Sequence, residues 1–222
     1  MTNSNRVEHA SETWLTDATV FEVNRTPAHS NHKCFTHDPQ SGEYSDLTQS
    51  LDGEWRVEIV QASDIDFNEE PFVAENFDDS AFYRTQVPGH LQMAGLLKNK
   101  YVNIQYPWDG HENPLEPNVP ENNHVALYRK KFVVSKRLAD TKESGGSVSI
   151  VFHGMQPQST CGSTACSQVT ARTDSLPTSL TSPICCMTER TLWRSLATSI
   201  PAHPSLKTRT SGVCTGCSAP SN

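Results

Sequence analysis

The last third of this sequence lacks most of what a folded domain needs. Residues 156–222 contain a single aromatic residue, Trp193, and only two acids, Asp174 and Glu189. The same 67 residues hold 24 serines and threonines and six of the seven cysteines. A segment so poor in large apolar side chains cannot bury enough surface to offset the entropy of ordering its backbone. The composition therefore predicts that residues 156–222 are an unstructured tail.

Three further absences limit where the protein works. No apolar run approaches the roughly 20 residues that a membrane-spanning helix requires, so we expect no membrane partner. The first dozen residues are polar and lack the apolar core of a signal peptide. Before residue 156 the only cysteine is Cys34, which is typical of a reducing compartment. Together these features predict a cytoplasmic protein.

Basic residues are also scarce in the first 155 residues, which carry 13 basic and 23 acidic side chains. Nucleic-acid binding depends on a basic face that neutralises phosphates. The charge balance therefore excludes nucleic acid as the expected partner.

The abrupt change at Met155 has an explanation in the genetic code. Synonymous codons for Met155–Ala165 can be chosen so that one inserted G makes them read M-A-T-A-I-Y-V-W-V-N-G, a strand followed by an Asn-Gly turn. In the same shifted frame, Leu206–Pro220 regroups to E-D-Q-D-F-W-R-L-H-G-L-F-R-S. Two long, sensible strings in one frame indicate that residues 156–222 are out-of-frame translation. We call this the restored frame.

Up to Gly154 the sequence is patterned like a β-protein. Alternating apolar residues predict strands over Leu51–Val60, Tyr128–Val134 and Val148–Phe152. Three phenylalanines, Phe72, Phe77 and Phe82, are spaced to fix an acidic loop onto the core. Pro88 beside a short apolar run indicates an edge strand or a strand end. No segment has a helical period of useful length, so the fold class is predicted to be all-β.

Four strings in this region resemble one family. They are Trp14-Leu-Thr-Asp17, Ser50-Leu-Asp-Gly-Glu-Trp55, Val87-Pro-Gly-His-Leu-Gln-Met93 and Tyr101-Val-Asn-Ile-Gln-Tyr-Pro-Trp-Asp-Gly110. They are similar to the amino-terminal, sugar-binding domain of β-galactosidases of glycoside hydrolase family 2. The resemblance implies an incomplete jelly-roll β-sandwich, like a galactose-binding domain, followed by the unstructured tail. It divides the chain into a disordered leader (1–13), a partial jelly-roll domain (14–155) and an out-of-frame tail (156–222).

The same resemblance implies a function for the gene. The intact enzyme would hydrolyse terminal non-reducing β-D-galactosides such as lactose, would use magnesium with sodium or potassium, and would form a homo-oligomer. The family's two catalytic glutamates belong to a TIM barrel that has no counterpart in this chain. We therefore expect a fragment with no catalytic residues, no cofactor of its own and no hydrolase activity.

One residue is the principal candidate for contact with the sugar. In the family, the asparagine at the position of Asn103 hydrogen-bonds the galactosyl unit, and an amide offers the donor and acceptor that sugar hydroxyls need. Tyr101, Tyr106 and Trp108 are weaker candidates that could stack on a sugar face. The alternative for Asn103 is a purely local role in a turn, and for the three aromatic residues it is packing.

The paired acids and the histidine and cysteine cluster are interpreted as structural residues and not as catalytic or metal-binding ones. The adjacent acids Asp78-Asp79 and Glu69-Glu70 are expected on the solvated surface. The cluster of His29, His32, Cys34 and His37 is too crowded and too irregularly spaced for a common zinc site, so no metal site is predicted.

Two alternative functions are left open. The chain could be a free-standing carbohydrate-binding module that uses Tyr106 and Trp108. It could also be an amino-terminal oligomerisation or complementation segment, with Trp14–Ser30 supplying the contact.

Overall fold

A computed structural model of the chain describes residues 19, 22–23, 33–61, 64, 72, 74, 76–97 and 124–154, together with five strands between residues 158 and 217. After Val151 the description covers the backbone path and strand pairing only.

The described residues form eleven strands and one helix. In chain order these are β1 (Glu22–Val23), β2 (Thr48–Ser50), β3 (Gly53–Gln61), β4 (Tyr83–Val87), β5 (His124–Phe132), α1 (Lys136–Glu143), β6 (Ser147–Gly154), β7 (Gln158–Ser163), β8 (Cys166–Ala171), β9 (Thr178–Leu180), β10 (Thr191–Thr198) and β11 (Ser211–Cys217).

The strands form two antiparallel sheets. The first has the order β1-β8-β7-β10-β5-β3-β4, and the second has the order β2-β11-β6-β9. The prediction of a mainly β protein with no long helix is confirmed.

Strands β3 and β5 show two ways in which a sequence can specify a strand. In β3, buried Trp55 and Val57 alternate with more exposed neighbours, as predicted. In β5, five consecutive residues from Val125 to Arg129 are buried, because both faces of this strand are covered. Alternation disappears in a strand of that kind. This explains why the strand predicted from the sequence begins at Tyr128, four residues after the observed start of β5 at His124.

The core consists of two clusters on opposite faces of the first sheet. The larger one joins residues of both sheets and of α1: Leu51, Trp55, Val57, Val87, Leu91, Ala126, Tyr128, Leu138, Val148 and Ile150. The smaller one joins Phe72 and Phe82 to Val125 and Leu127, with Phe77 packed against it. The predicted role of the three phenylalanines is therefore confirmed. Burial of this apolar surface from both sides is the main stabilising contribution to the first sheet.

The prediction for Pro88 is also confirmed, because β4 forms the edge of the first sheet and ends at Val87. A cis peptide bond joins Val87 to Pro88. At Gly89, a Cβ atom would stand 2.3 Å from the carbonyl oxygen of Gln86. Only glycine fits such an approach, so the backbone leaving β4 requires this residue.

Helix α1 was not predicted, and the reason is its composition. Leu138 is the one buried residue among the eight from Lys136 to Glu143. A helix that packs by one side chain leaves no hydrophobic period in the sequence. The chain leaves the helix through Gly145, whose φ of 85° is the left-handed conformation that glycine adopts readily.

Five strands, β7 to β11, fall within residues 156–222, for which the composition predicts an unstructured tail. These strands pair mainly through backbone groups, which every residue type except proline supplies in full. β5 is buried on both faces, and β10 pairs with it from Thr191↔Phe132 to Thr198↔Val125. An unpaired edge on such a strand would leave buried N–H and C=O groups without partners. The backbone groups at the edge of buried β5 need hydrogen-bond partners, and this need favours strands in the tail despite its poor apolar content.

Candidate functional site

The predicted sugar-contacting residues lie outside the described residues. This holds for Asn103 and for Tyr101, Tyr106 and Trp108. What the structure does describe is the backbone on either side of them, at Leu97 and at His124.

The turn before the candidate segment is closely tied to the core. The carbonyl oxygen of buried Leu91 accepts hydrogen bonds from the amides of Leu96 (2.9 Å) and Leu97 (3.3 Å). Both of these leucines pack against the larger core cluster. On the far side, His124 begins β5, and its Nε2 lies 3.3 Å from Nε2 of Gln61 on β3. The segment therefore leaves and rejoins the fold at two points fixed by the sheet.

A fully buried arginine, Arg129 of β5, forms three hydrogen bonds, and its side chain is 0% exposed. Its Nε donates to Oδ2 of Asp79 at 3.0 Å. Its Nη1 donates to the carbonyl oxygens of Phe72 and, at 3.2 Å, Ala74. The guanidinium also lies over the ring of Phe77, 5.1 Å from its centroid. Arg129 thus holds the loop from Phe72 to Phe82, which we call the strap, against the first sheet.

This network corrects one expectation. Asp79 is not a solvated surface acid, because it pairs with a fully buried guanidinium and its side chain is only 18% exposed. A buried charge without a partner is strongly destabilising, so the partner must come from the strap. Asp78, its neighbour, is exposed as expected and accepts a hydrogen bond from the amide of Ser80. Glu69 and Glu70 lie outside the described part of the chain.

Sequence reasoning missed Arg129, although one signal was present. Directly opposed residues in antiparallel strands share a face, and Arg129 stands opposite Arg56, which stands opposite Arg84. Three like charges in one row require compensation. Glu54 pairs with Arg84 at 3.3 Å, Asp79 pairs with Arg129, and the carbonyl oxygen of Phe82 accepts from Arg56.

A second polar network joins the segment before β2 to helix α1. The carboxylate of Asp46 accepts hydrogen bonds from the amide and the hydroxyl of Thr36 and from Arg137. His37 lies beside it, with Nε2 2.9 Å from Oε1 of Glu43. The Thr36 hydroxyl is the main cause that lowers the pKa of Asp46 below its usual 3.8. A hydrogen bond from the amide of Gln40 likewise lowers the pKa of Glu43.

These two networks stabilise structure and offer no catalytic pair. A retaining glycosidase needs two carboxylates about 5 Å apart, one of them available to attack. Each acid described above already has a cation or an N–H donor as its partner: Asp79 has Arg129, Asp46 has Arg137 and Glu43 has His37. The arrangement orders the strap and the segment before β2.

Metal and membrane sites were also sought among the residues that the structure describes. These residues contain no group of three or more histidines, cysteines, aspartates or glutamates placed to hold a metal ion. His29 and His32 lie outside them, and Cys34 is disulfide-bonded. The structure therefore differs from the expected reduced Cys34. No helix in the described ranges is long and apolar enough to cross a membrane.

Comparison with solved structures defines the class of fold. The chain superposes on a β-glycosidase from Bacteroides vulgatus with a TM-score of 0.50, covering 77% of this chain and 20% of that one at 12% identity. The likeness shows the fold alone, an arrangement of strands that also occurs within a larger glycosidase.

Comparison of sequences is more specific. The chain is 58% identical over 145 residues to β-galactosidase BgaC of Bifidobacterium adolescentis, and 41% identical over 140 residues to a β-galactosidase of Lactobacillus delbrueckii subsp. bulgaricus. The matches cover 65% and 63% of this chain but only 13% and 14% of those enzymes. No protein-family profile matches the chain. The resemblance to a segment of β-galactosidases is confirmed.

We predict that Asp79→Asn lowers the free energy of unfolding by about 3 kcal/mol, because it leaves a buried guanidinium without its counter-charge. Urea unfolding of the full chain, followed by tryptophan fluorescence, measures the change. Asp78→Asn is the matched control and should cost less than about 1 kcal/mol, as an exposed position does. Equal losses from the two variants would contradict the assigned role of Asp79.

We predict that Thr36→Val raises the pKa of Asp46 towards 3.8, and by more than Arg137→Gln does, because the Thr36 hydroxyl is the largest cause of the shift. A carboxyl with a lowered folded-state pKa stabilises the fold above its unfolded value, and that stability is lost as the pH falls through the folded value. Carbon-detected NMR titration between pH 2 and 6 measures both variants. A pKa that is unchanged in Thr36→Val would refute this ranking of causes.

Proposed function

We propose that this chain is the amino-terminal jelly-roll segment of a family 2 β-galactosidase and is not catalytic itself. The observation that carries the proposal is the 58% identity to one β-galactosidase over a stretch that makes up 13% of that enzyme. The family's two catalytic glutamates would reside in a TIM barrel outside the stretch that this chain matches. The activity of the intact enzyme would be hydrolysis of terminal β-galactosides, with magnesium and sodium or potassium bound outside this segment.

The packing of the described strands supports the jelly-roll part of the proposal. Trp55 and Tyr128 of the first sheet share one core cluster with Val148 and Ile150 of the second. Two antiparallel sheets with a common apolar layer between them are what a β-sandwich requires.

In the intact enzyme, Asn103 would hydrogen-bond the galactosyl unit, with lesser contributions from Tyr101, Tyr106 and Trp108. The positions of Leu97 and His124 support this role. Leu97 is tied to the core and His124 to the sheet, so both ends of the segment start from ordered backbone.

The frameshift part of the proposal gains support from strand positions in the tail. Strand β7 ends at Ser163 and β8 begins at Cys166, and these two residues are paired. The two residues between them in the sequence are Thr164 and Ala165. In the restored frame these two positions read Asn-Gly, the pair most favoured in two-residue hairpin turns. The restored apolar string A-I-Y-V-W-V falls on the residues of β7.

The experiment compares the gene as it stands with the same gene carrying one G inserted after the codon for Met155. We expect no hydrolysis of a chromogenic β-galactoside by the chain as it stands. We expect the base-restored gene to direct synthesis of an active β-galactosidase. Activity in the unrestored chain, or none from the restored gene, would contradict the proposal.

The role of Asn103 is tested in the restored enzyme. Asn103→Ala should lower kcat/KM at least about tenfold, which corresponds to one lost hydrogen bond to the substrate. The control Asn99→Ala removes a nearby amide outside the Tyr101–Gly110 string and should leave kcat/KM within about twofold.

A further inference from the structure

The second sheet contains a slot built by one part of the chain and filled by another. Strand β11 lies between β2 and β6, and pairs antiparallel with both. Val213 at its centre pairs with Val151 on one side and with Ser50 on the other. Both walls of this slot precede Met155, whereas its occupant comes from the tail.

The β6 wall of the slot is apolar, but the tail sequence does not match it. Val148, Ile150 and Val151 of β6 are all buried, and two of them belong to the larger core cluster. At the β11 positions opposite Ile150 and Phe152, the tail supplies Cys214 and Gly212. A glycine in the interior of a strand weakens it, because it has no side chain to pack and is costly to order.

The restored frame places a better matched strand at the same positions. Of its string E-D-Q-D-F-W-R-L-H-G-L-F-R-S, the portion F-W-R-L-H-G-L falls on Ser211–Cys217. Its first leucine stands at the position opposite Ile150, and its tryptophan stands opposite Phe152. Its arginine and histidine occupy the intervening positions, which belong to the other face of the sheet. The tryptophan and the first leucine of the string therefore fall on the core side of the slot, in the observed register.

We propose that the slot between β2 and β6 is a strand-acceptor site, whose occupant is the restored-frame strand supplied on a separate polypeptide. The inference rests on the proposed function, because the sequence of the occupant comes from the restored frame. Backbone hydrogen bonds to both walls would provide affinity, and the tryptophan and leucine at core positions would provide specificity. This is β-augmentation, in which an added strand completes a sheet.

The test uses the full chain with its own occupant weakened by Val213→Pro and Thr215→Pro, because proline cannot donate to the ladder. A fluorescein-labelled peptide with the restored string is titrated with this protein and followed by fluorescence anisotropy. We expect saturable binding, tighter than to the control chain Thr208→Pro, in which the substitution lies outside β11. Loss of binding in both chains would overturn the inference.

Two peptide variants test the register. Replacing the peptide's tryptophan and its first leucine by serine should weaken binding about 100-fold or more, because two large apolar side chains lose their burial. Replacing its arginine and histidine by serine should change affinity by less than about threefold. Equal effects of the two replacements would refute the register and show non-specific adsorption.

A second measurement applies if the double-proline chain does not fold. Hydrogen exchange of the peptide's own amides is measured with the unmodified chain in excess. We expect slowed exchange confined to the portion that occupies β11, and uniformly fast exchange would contradict the proposal. A peptide that fails to bind while the base-restored gene gives active enzyme refutes the acceptor site alone. Binding without such activity refutes the proposed function instead.

Discussion

Strand β5 imposes the constraint on which the rest of the described structure depends. Five consecutive residues from Val125 to Arg129 are buried, so this strand has no solvated face and both of its edges must be paired. Strand β3 satisfies one edge and β10 the other. The larger core cluster covers one face and the strap covers the second. Because the edge of β5 that faces β10 needs hydrogen-bond partners, even a segment rich in serine and threonine is held there as a strand.

Arg129 links this constraint to the order of the strap. A guanidinium in the middle of a buried strand needs an acid and several carbonyl oxygens, and all of them come from Phe72 to Asp79. Burial of the arginine and closure of the strap are therefore a single event. The three phenylalanines of the strap supply apolar contact, while Arg129 determines where the strap sits. Removal of the acid leaves the charge behind, whereas removal of a phenylalanine loses only part of the apolar contact.

Sequence reasoning recovered what depends on local pattern. The alternation around Trp55 predicted β3, the phenylalanine spacing predicted the contacts of the strap, and Pro88 predicted the edge at β4. It missed what depends on distant partners. The start of β5, the pairing of Asp79 and the helix around Leu138 are each decided by contacts from elsewhere in the chain. The strands in residues 156–222 likewise pair with β2, β5 and β6, which lie before Met155 in the chain. The candidate sugar contact at Asn103 rests on family resemblance and stays a prediction.

Under the proposed function, one polypeptide joins two reading frames at Met155. The residues before Met155 agree with the matches to β-galactosidases, while we propose that the tail occupies positions that a different sequence fits better. The acceptor slot and the pairing of Ser163 with Cys166 would both be consequences of one lost base.

The most direct test is to sequence the DNA from the codon for Gly154 to the codon for Asn222 and translate it with one G added after Met155. The account predicts an open frame that spells M-A-T-A-I-Y-V-W-V-N-G at its start and E-D-Q-D-F-W-R-L-H-G-L-F-R-S near its end. A shifted frame interrupted by stop codons, or one that spells neither string, would contradict it.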